Sequence, residues 1–361
     1  MKILFQKFYL LFFLIVLLAL KVKAQENFIE VYLEGTKITD IKSDGTDLWV
    51  ATEGDGIFKY SKVKDKWQNF SSKNKKIKQD FFYCIETGKR YIWAGSPDGL
   101  YTYDKKRRRW RKKKFSLGGQ FGNWIRNLKF DRRNNILWIG RFKYLSQFNL
   151  LTKKYSDFDL TINKNDKTNT INTIALDKNN VVWVGTEAGV HKLKFKRNFK
   201  KAFSSEFYNT HNHFFMEEGE EVSVTNILFE QNNIWFGTEE FITYERPDFN
   251  IGGLFRFDRE INWLRFGENN DKLKGNGIYS IEKIGNYILA SVYKFNPTRK
   301  KRQGKGINIL NRKTLKIKNV KNDLIPEDIF KIYFDKENIW LGTKNGLRKI
   351  KLKSKFIPNF N

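Results

Sequence analysis

The chain has 361 residues, of which 68 are lysine or arginine and 39 are aspartate or glutamate, giving a formal net charge of +29. Its single cysteine excludes a fold held by internal disulfides, so its stability must come from burial of apolar groups. The basic surplus favours contact with anionic surfaces such as lipid head groups, acidic polysaccharide or nucleic acid.

Residues 1–24 have the features of a secretory signal peptide. Lys2 and Lys7 give a positive start, and an apolar run of 13 residues ends at Leu20, shortly before a segment suited to cleavage. That run is too short to cross a bilayer of about 30 Å, although an uncleaved anchor is the alternative interpretation. We therefore expect residues 25–361 to be periplasmic or secreted, with no membrane span. In that setting nucleic acid is not an expected partner.

A short motif recurs through the rest of the chain: Trp, an apolar residue, Gly or Ala, and usually Thr or Ser. Its copies begin at Trp49, Trp93, Trp138, Trp183, Trp235, Ile288 and Trp340. Successive copies are 44, 45, 45, 52, 53 and 52 residues apart, so the mature chain holds seven units. Repeats of this period are typical of propellers and solenoids.

Each unit has the pattern of four short strands. An alternating apolar segment such as Ile171–Asp177 precedes a polar turn, the Trp strand, a glycine-led strand such as Gly99–Tyr103, and a segment that ends in aromatic residues. Seven such units predict an all-β fold, a seven-bladed β-propeller of four-stranded antiparallel blades, as one domain. The last unit lacks a fourth strand, whereas residues 28–33 form a strand before the first unit. We predict that this N-terminal strand completes the last blade and closes the ring.

The repeated residues are interpreted as structural. Each Trp supplies a large apolar face between neighbouring blades, and the small residue two positions later allows crowded inner strands to approach one another. Cys84 lies in an apolar strand and is predicted to be a core residue.

An Asp–Asn turn followed by Trp-(Val/Ile/Leu)-Gly-Thr and Gly-(Leu/Val/Ile), as in residues 177–190, resembles the two-component regulator propeller repeat. The resemblance covers nearly all of the mature chain. It implies the sensor region of hybrid histidine kinases, many of them tied to polysaccharide use, and hence the envelope of a Gram-negative bacterium. Those sensors continue into a further β domain, a membrane helix and a kinase. Because this sequence stops after one ring, we expect a sensor-like binding module without a signalling output of its own.

Three insertions distinguish the fourth to sixth units from the others. They run from about Ser204 to Glu221, from Glu239 to Ile251 and from Val292 to Lys305, and strand direction places all three on the face that holds the channel mouth. Their aromatic, acidic and basic residues suit stacking on sugar rings and hydrogen bonding to hydroxyls, which predicts an unknown glycan or an envelope protein as partner. The alternative is that they only cover the channel mouth. The candidate ligand-binding residues are His211, His213, Glu217, Glu218, Glu239, Glu240, Tyr244, Arg246, Tyr293 and Arg299.

Catalysis and metal binding have weaker support. The repeats are also similar to those of streptogramin B lyase, so a lyase or hydrolase acting on a polysaccharide or small molecule is the alternative function. That chemistry needs a His and a Glu facing the channel, and His191 is predicted in a third strand, away from the axis. His211 and His213 lack the further spaced ligands of a zinc site, so we expect no metal and no cofactor.

The densest basic segment, Lys105–Lys114, has nine basic residues around Trp110. Its register predicts the last turn and outer strand of the second blade, where charge also discourages edge pairing. An anionic cell surface is its expected contact.

Overall fold

The computed structural model describes residues 28–196 and 199–352. The predicted signal peptide and the predicted strand-free tail after Leu352 lie outside the described residues. Within the described part of the chain, no helix is long and apolar enough to cross a membrane.

Among the described residues, twenty-eight strands form seven antiparallel sheets of four strands, which confirms the predicted seven-bladed propeller. The strands of the first four blades, preceded by the N-terminal strand, are β1 (Ile29–Tyr32), β2 (Ile38–Ser43), β3 (Asp47–Thr52), β4 (Ile57–Ser61), β5 (Lys66–Phe70), β6 (Cys84–Thr87), β7 (Tyr91–Ser96), β8 (Gly99–Asp104), β9 (Arg109–Lys113), β10 (Ile125–Asp131), β11 (Ile136–Arg141), β12 (Leu145–Asn149), β13 (Lys154–Phe158), β14 (Ile171–Leu176), β15 (Val181–Thr186), β16 (Gly189–Phe195) and β17 (Ala202–Tyr208). The remaining strands are β18 (Val224–Phe229), β19 (Ile234–Thr238), β20 (Leu254–Phe257), β21 (Trp263–Phe266), β22 (Gly277–Ile284), β23 (Tyr287–Asn296), β24 (Lys301–Asn311), β25 (Ile317–Asn319), β26 (Ile329–Phe334), β27 (Asn338–Thr343) and β28 (Gly346–Lys351). One helical turn of four residues, Glu268–Asp271, precedes the sixth blade.

The ring closes through the first strand of the chain. β1 pairs antiparallel with β28, from Ile29 opposite Ile350 to Tyr32 opposite Leu347, and so provides the outer strand of the seventh blade. This pairing covers the outer edge of β28 that would otherwise present unpaired backbone groups. The closure by the N-terminal strand is as predicted.

The repeated tryptophans lie between blades, as expected. Trp183 is 2% exposed and packs on Phe236 of the next blade, with ring centroids 6.0 Å apart. The following glycines explain how blades approach so closely. A Cβ atom on Gly140 would lie 2.7 Å from Ile171 Cγ2 of the next blade, a distance that side chains do not adopt.

A hydroxyl closes the turn after the second strand in most blades. Thr186 Oγ1 donates to Gly189 O at 3.0 Å and accepts from Ala188 N at 3.2 Å. In the third blade this position is Arg141, whose buried guanidinium instead reaches Leu117 O and Gly122 O. The motif therefore selects Thr because a short side chain satisfies two backbone groups inside the protein.

We expect Thr186→Val to lower the free energy of unfolding by about 1–2 kcal/mol, because the isosteric side chain leaves Gly189 O and Ala188 N without a partner. Urea denaturation followed by tryptophan fluorescence measures the change. The same substitution at Thr102, whose hydroxyl takes no part in closing a turn, is the control, and equal losses at both positions would contradict the explanation.

The channel mouth as candidate functional site

The face of the ring that we call the channel mouth is formed by the starts of the first strands and the connections from second to third strands. These segments are joined by backbone hydrogen bonds, for example from Glu53 N to Lys37 O at 3.0 Å and from Glu239 N to Ser223 O at 2.9 Å. The three insertions of the fourth to sixth blades stand on this face. The connections that differ most in length between blades therefore lie together at one end of the channel.

The three insertions pack into one wall. Phe241 of the fifth blade stacks against Phe295 of the sixth with ring centroids 4.7 Å apart, and Tyr244 Oη lies 2.6 Å from Thr298 Oγ1. On the other side, Glu221 N donates to Phe249 O at 2.9 Å. The segment between the fourth and fifth blades is therefore tied to the fifth blade, and the fifth to the sixth.

The predicted loop between Val292 and Lys305 is wrong in its conformation. β23 continues to Asn296 and β24 begins at Lys301, so the insertion is an extended β-hairpin with a tight turn of residues 297–300. Tyr293 is consequently a strand residue and only 1% exposed, not a loop residue open to ligand. Its hydroxyl accepts from Glu240 N at 3.1 Å, which fixes the neighbouring loop.

Two predicted ligand contacts are buried carboxyl groups. Glu218 has no exposed surface; its Oε1 accepts from Gly252 N at 3.1 Å and its Oε2 lies 3.1 Å from Thr238 Oγ1. Burial raises its pKa from 4.5 to about 8. Glu240 is 2% exposed and accepts from Phe295 N at 2.7 Å, and burial raises its pKa to about 7. The expectation that these two side chains face ligand is wrong, because each anchors a loop of the wall from inside.

The other predicted residues lie on or near the surface of the wall. His211, His213, Glu217, Tyr244, Arg246 and Arg299 are exposed. Arg246 pairs with Glu220 and its guanidinium lies 3.9 Å from the centre of the Phe249 ring. Glu239 is partly buried and pairs with Arg302 of the extended hairpin. Glu239 therefore holds a basic group at the channel mouth.

A cavity of about 490 Å³ opens at the channel mouth between the sixth, seventh, first and second blades. Its walls include four aromatic side chains that the sequence interpretation missed: Phe81, Tyr83, Tyr279 and Phe330. Phe81 and Tyr83 have ring centroids 4.6 Å apart, and Tyr279 and Phe330 5.1 Å apart. Two pairs of rings therefore face one space, which is the usual composition of a site for a ring-shaped ligand.

A repeated irregularity explains why Tyr279 and Phe330 point into the mouth. Six of the seven first strands shift register by one residue near their start, and the skipped residues include Tyr279 and Phe330. A bulge of this kind turns the extra side chain out of the regular alternation. Aligning the sequences of the seven units would have placed these residues at equivalent positions. The alternation of apolar and polar residues along a single strand could not identify them.

Three basic groups at the mouth pair with carboxylates of neighbouring segments, and Lys301 and Lys344 also line the cavity. Lys37 and Glu53 are 2.5 Å apart, Arg126 and Glu187 are 2.8 Å apart, and Arg302 pairs with Glu239. Each pair sets donors beside acceptors on an accessible surface. That arrangement suits a ligand with many hydroxyl groups better than one with net charge.

The pKa values of two residues at the mouth are shifted because the surrounding protein partly removes them from water. Removal from bulk water lowers the pKa of Arg302, and the nearby charge of Arg126 lowers it further. Its side chain keeps 44% of its exposed surface, because it borders the open cavity while protein surrounds it on other sides. Burial also raises the pKa of Tyr83, which the charge of Arg126 partly offsets.

Below the mouth, charged side chains of opposite sign share the channel. Lys331 Nζ lies 3.0 Å from Asp40 Oδ1. Enclosure lowers the pKa of Lys129 and raises that of Glu282, whereas Glu86 and Asp40 raise the pKa of Lys42 despite its enclosure. These groups offset one another, so the mouth rather than the interior is the candidate site.

Catalysis or metal binding would require suitably placed histidine or carboxylate side chains. His191 is 1% exposed, its Nε2 lies 2.8 Å from Thr168 O, and burial lowers its pKa to about 4. It is therefore a neutral core residue. In the ranges that the structure describes, no three His, Cys, Asp or Glu side chains are grouped as a metal site requires.

The similarity of this chain to known proteins agrees with the fold. Residues 165–188 match the family model of the two-component regulator propeller. These residues therefore match one copy of that repeat. No curated protein sequence matches it significantly.

Solved structures give the same architecture at low sequence identity. The extracellular domain of a putative one-component system from B. thetaiotaomicron is 20% identical, with a TM-score of 0.67 over 91% of this chain and 40% of that chain. The extracellular domain of a putative hybrid two-component system from the same organism is 16% identical, with a TM-score of 0.65 over 90% and 41%. The WD40 repeats of RRP9 are 11% identical, with a TM-score of 0.63 over 90% and 98%. The chain thus spans about two fifths of the length of the two bacterial proteins, and these likenesses show the propeller fold alone.

Proposed function

We propose that this propeller is an exported recognition module that binds a glycan at the channel mouth. The observation that carries the proposal is the cavity of about 490 Å³, in which two pairs of aromatic rings lie beside paired donors and acceptors. Flat apolar ring faces match the C–H faces of sugars, and the ion pairs offer both kinds of hydrogen-bonding group to hydroxyls. The likeness to extracellular domains of bacterial sensors supports a periplasmic or extracellular location and a sensor-like role.

The test measures binding of a panel of short neutral oligosaccharides by isothermal titration calorimetry. We expect Tyr83→Ala combined with Phe330→Ala to weaken binding by about 5- to 150-fold, since two lost stacking contacts of about 0.5–1.5 kcal/mol each total about 1–3 kcal/mol. Both side chains are only partly buried, so the propeller should remain folded.

Tyr244→Ala is the matched control because it removes an exposed aromatic ring from the wall, outside the cavity. Unchanged affinity in the double variant, with a loss in Tyr244→Ala, would move the site to the wall. Absence of binding to every saccharide of the panel would overturn the glycan proposal.

The wall supports a second candidate, an envelope protein as partner. Met216, Phe241 and Tyr244 of the wall are 59%, 39% and 72% exposed. Large apolar side chains that are exposed together are typical of protein–protein contacts. This candidate predicts that the Tyr244→Ala variant loses the partner while saccharide binding is retained.

A further inference from the structure

The outer edge of the second blade has an unusual concentration of unpaired positive charge. The segment from Lys105 to Lys114, which comprises the turn before β9, β9 itself and one residue after it, contains nine basic residues, and four of the five β9 residues are exposed. Among the described residues, acidic partners within ion-pair distance exist only for Lys105, with Asp44, and Lys112, with Asp98. Seven cationic side chains therefore have no ionic partner.

This pattern is the opposite of that at the channel mouth, where Lys37, Arg126 and Arg302 each have a carboxylate partner. Cations without partners repel one another and lower stability unless something else compensates. An external polyanion supplies that compensation and releases bound counterions when it associates.

Two grooves flank β9 and combine these charges with aromatic surfaces. The groove toward the first blade has a volume of about 640 Å³ and is lined by Trp67, Tyr103 and Trp110 among six basic residues and no acidic one. The groove toward the third blade has a volume of about 390 Å³, with Tyr91, Phe148 and Tyr155 among its aromatic residues. In the second groove Lys113 Nζ lies 5.4 Å from the centre of the Tyr155 ring.

We propose that the outer edge of the second blade, with both grooves, binds an acidic polysaccharide that carries sulfate or carboxylate groups. Sugar rings contact the aromatic side chains of the grooves, while the anionic groups pair with Arg109, Arg111 and Lys113 along the edge. A linear chain suits this surface because Arg109, Arg111 and Lys113 alternate along β9, so their side chains follow one another on the same face of the strand. Two grooves with aromatic side chains on their walls favour such a chain over a flat lipid surface.

The test uses heparin and polygalacturonate as probes of the two anionic groups, with affinity measured by surface plasmon resonance. We expect the Arg109→Ala, Arg111→Ala and Lys113→Ala triple variant to bind the better of the two probes at least tenfold more weakly. The control is Lys283→Ala, Lys313→Ala and Lys336→Ala, which removes the same charge from exposed positions of the sixth and seventh blades and should change affinity less than about twofold. Equal losses in both triple variants would overturn the proposal in favour of net charge alone.

Three further measurements make the assignment specific. Tyr155→Ala should weaken binding even at high salt, where the ionic contribution is screened, and a thermal melt confirms that the variant is folded. Tighter binding to phosphatidylglycerol vesicles or to single-stranded DNA than to either polysaccharide would overturn the choice of partner. Tyr83→Ala with Phe330→Ala should leave this affinity unchanged, so failure of the channel-mouth proposal is distinguishable from failure of this one.

Discussion

Asp157→Ala is expected to lower the free energy of unfolding by about 2 kcal/mol, because it leaves the buried guanidinium of Arg141 without its carboxylate. Arg141 Nη2 lies 2.9 Å from Asp157 Oδ1, and the Arg141 side chain has no exposed surface. Burial lowers the pKa of Arg141 and the charge of Asp157 opposes that shift. Breaking a fully buried pair costs about 3–5 kcal/mol, and we expect less here since 34% of the Asp157 side chain is exposed.

A double-mutant cycle separates the pair from its surroundings. Arg141→Thr introduces the residue that most blades have at this position, and in that background Asp157→Ala should cost less than about 1 kcal/mol. Chemical denaturation of the four proteins provides the measurement. Strictly additive losses would show that Arg141 and Asp157 do not depend on each other.

The fold was predictable because one physical requirement repeats seven times. Each blade needs a large apolar side chain between itself and the next, a small residue where strands approach, and a short hydroxyl to close a turn, as Trp183, Gly185 and Thr186 provide. These requirements are local and are therefore visible in sequence. Ring closure was predictable for a related reason: a strand without a partner at one terminus matched a missing strand at the other.

The site was predictable only in its position on one face. Sequence spacing located the three insertions, but it could not show that β23 and β24 continue into the third of them as paired strands. Nor could it show that Tyr83, Tyr279 and Phe330, from three blades, share one cavity. The placement of Tyr279 and Phe330 depends on register shifts of single residues, which reverse the side to which a strand residue points.

The distribution of ion pairs also required the structure. Arg302 and Arg109 are both exposed basic residues in basic segments, and composition does not distinguish them. Pairing of Arg302 with Glu239 makes the mouth a surface of mixed hydrogen-bonding groups, whereas the edge near Arg109 remains cationic. We therefore expect the two surfaces to select ligands of different charge.

Glu218→Gln is expected to stabilise the protein above neutral pH, by about 2–4 kcal/mol near pH 9. Glu218 has a pKa of about 8 in the folded chain and 4.5 as its ordinary value, so the folded state holds a proton that the unfolded state loses. Below pH 4.5 the Glu218 carboxyl is protonated in both states, and its contribution to stability is complete. As the pH rises from 4.5 through about 8, the unfolded state is favoured increasingly, because it releases the proton more readily, and the free energy of unfolding falls. Glutamine is neutral at every pH and removes this loss.

The geometry favours this substitution because the neutral side chain already satisfies its neighbours. Oε1 accepts from Gly252 N, and a protonated Oε2 donates to Thr238 Oγ1, which in turn donates to Gly253 O at 3.2 Å. A glutamine amide can reproduce both contacts, with its NH₂ group in place of the acid proton. Urea denaturation across pH 5–9 should show a flatter stability profile for Glu218→Gln than for the native protein. Glu217→Gln changes an exposed neighbour and should leave the stability profile unaltered. If the stability of Glu218→Gln fell between pH 5 and 8 as steeply as that of the native protein, Glu218 would not be the group that titrates.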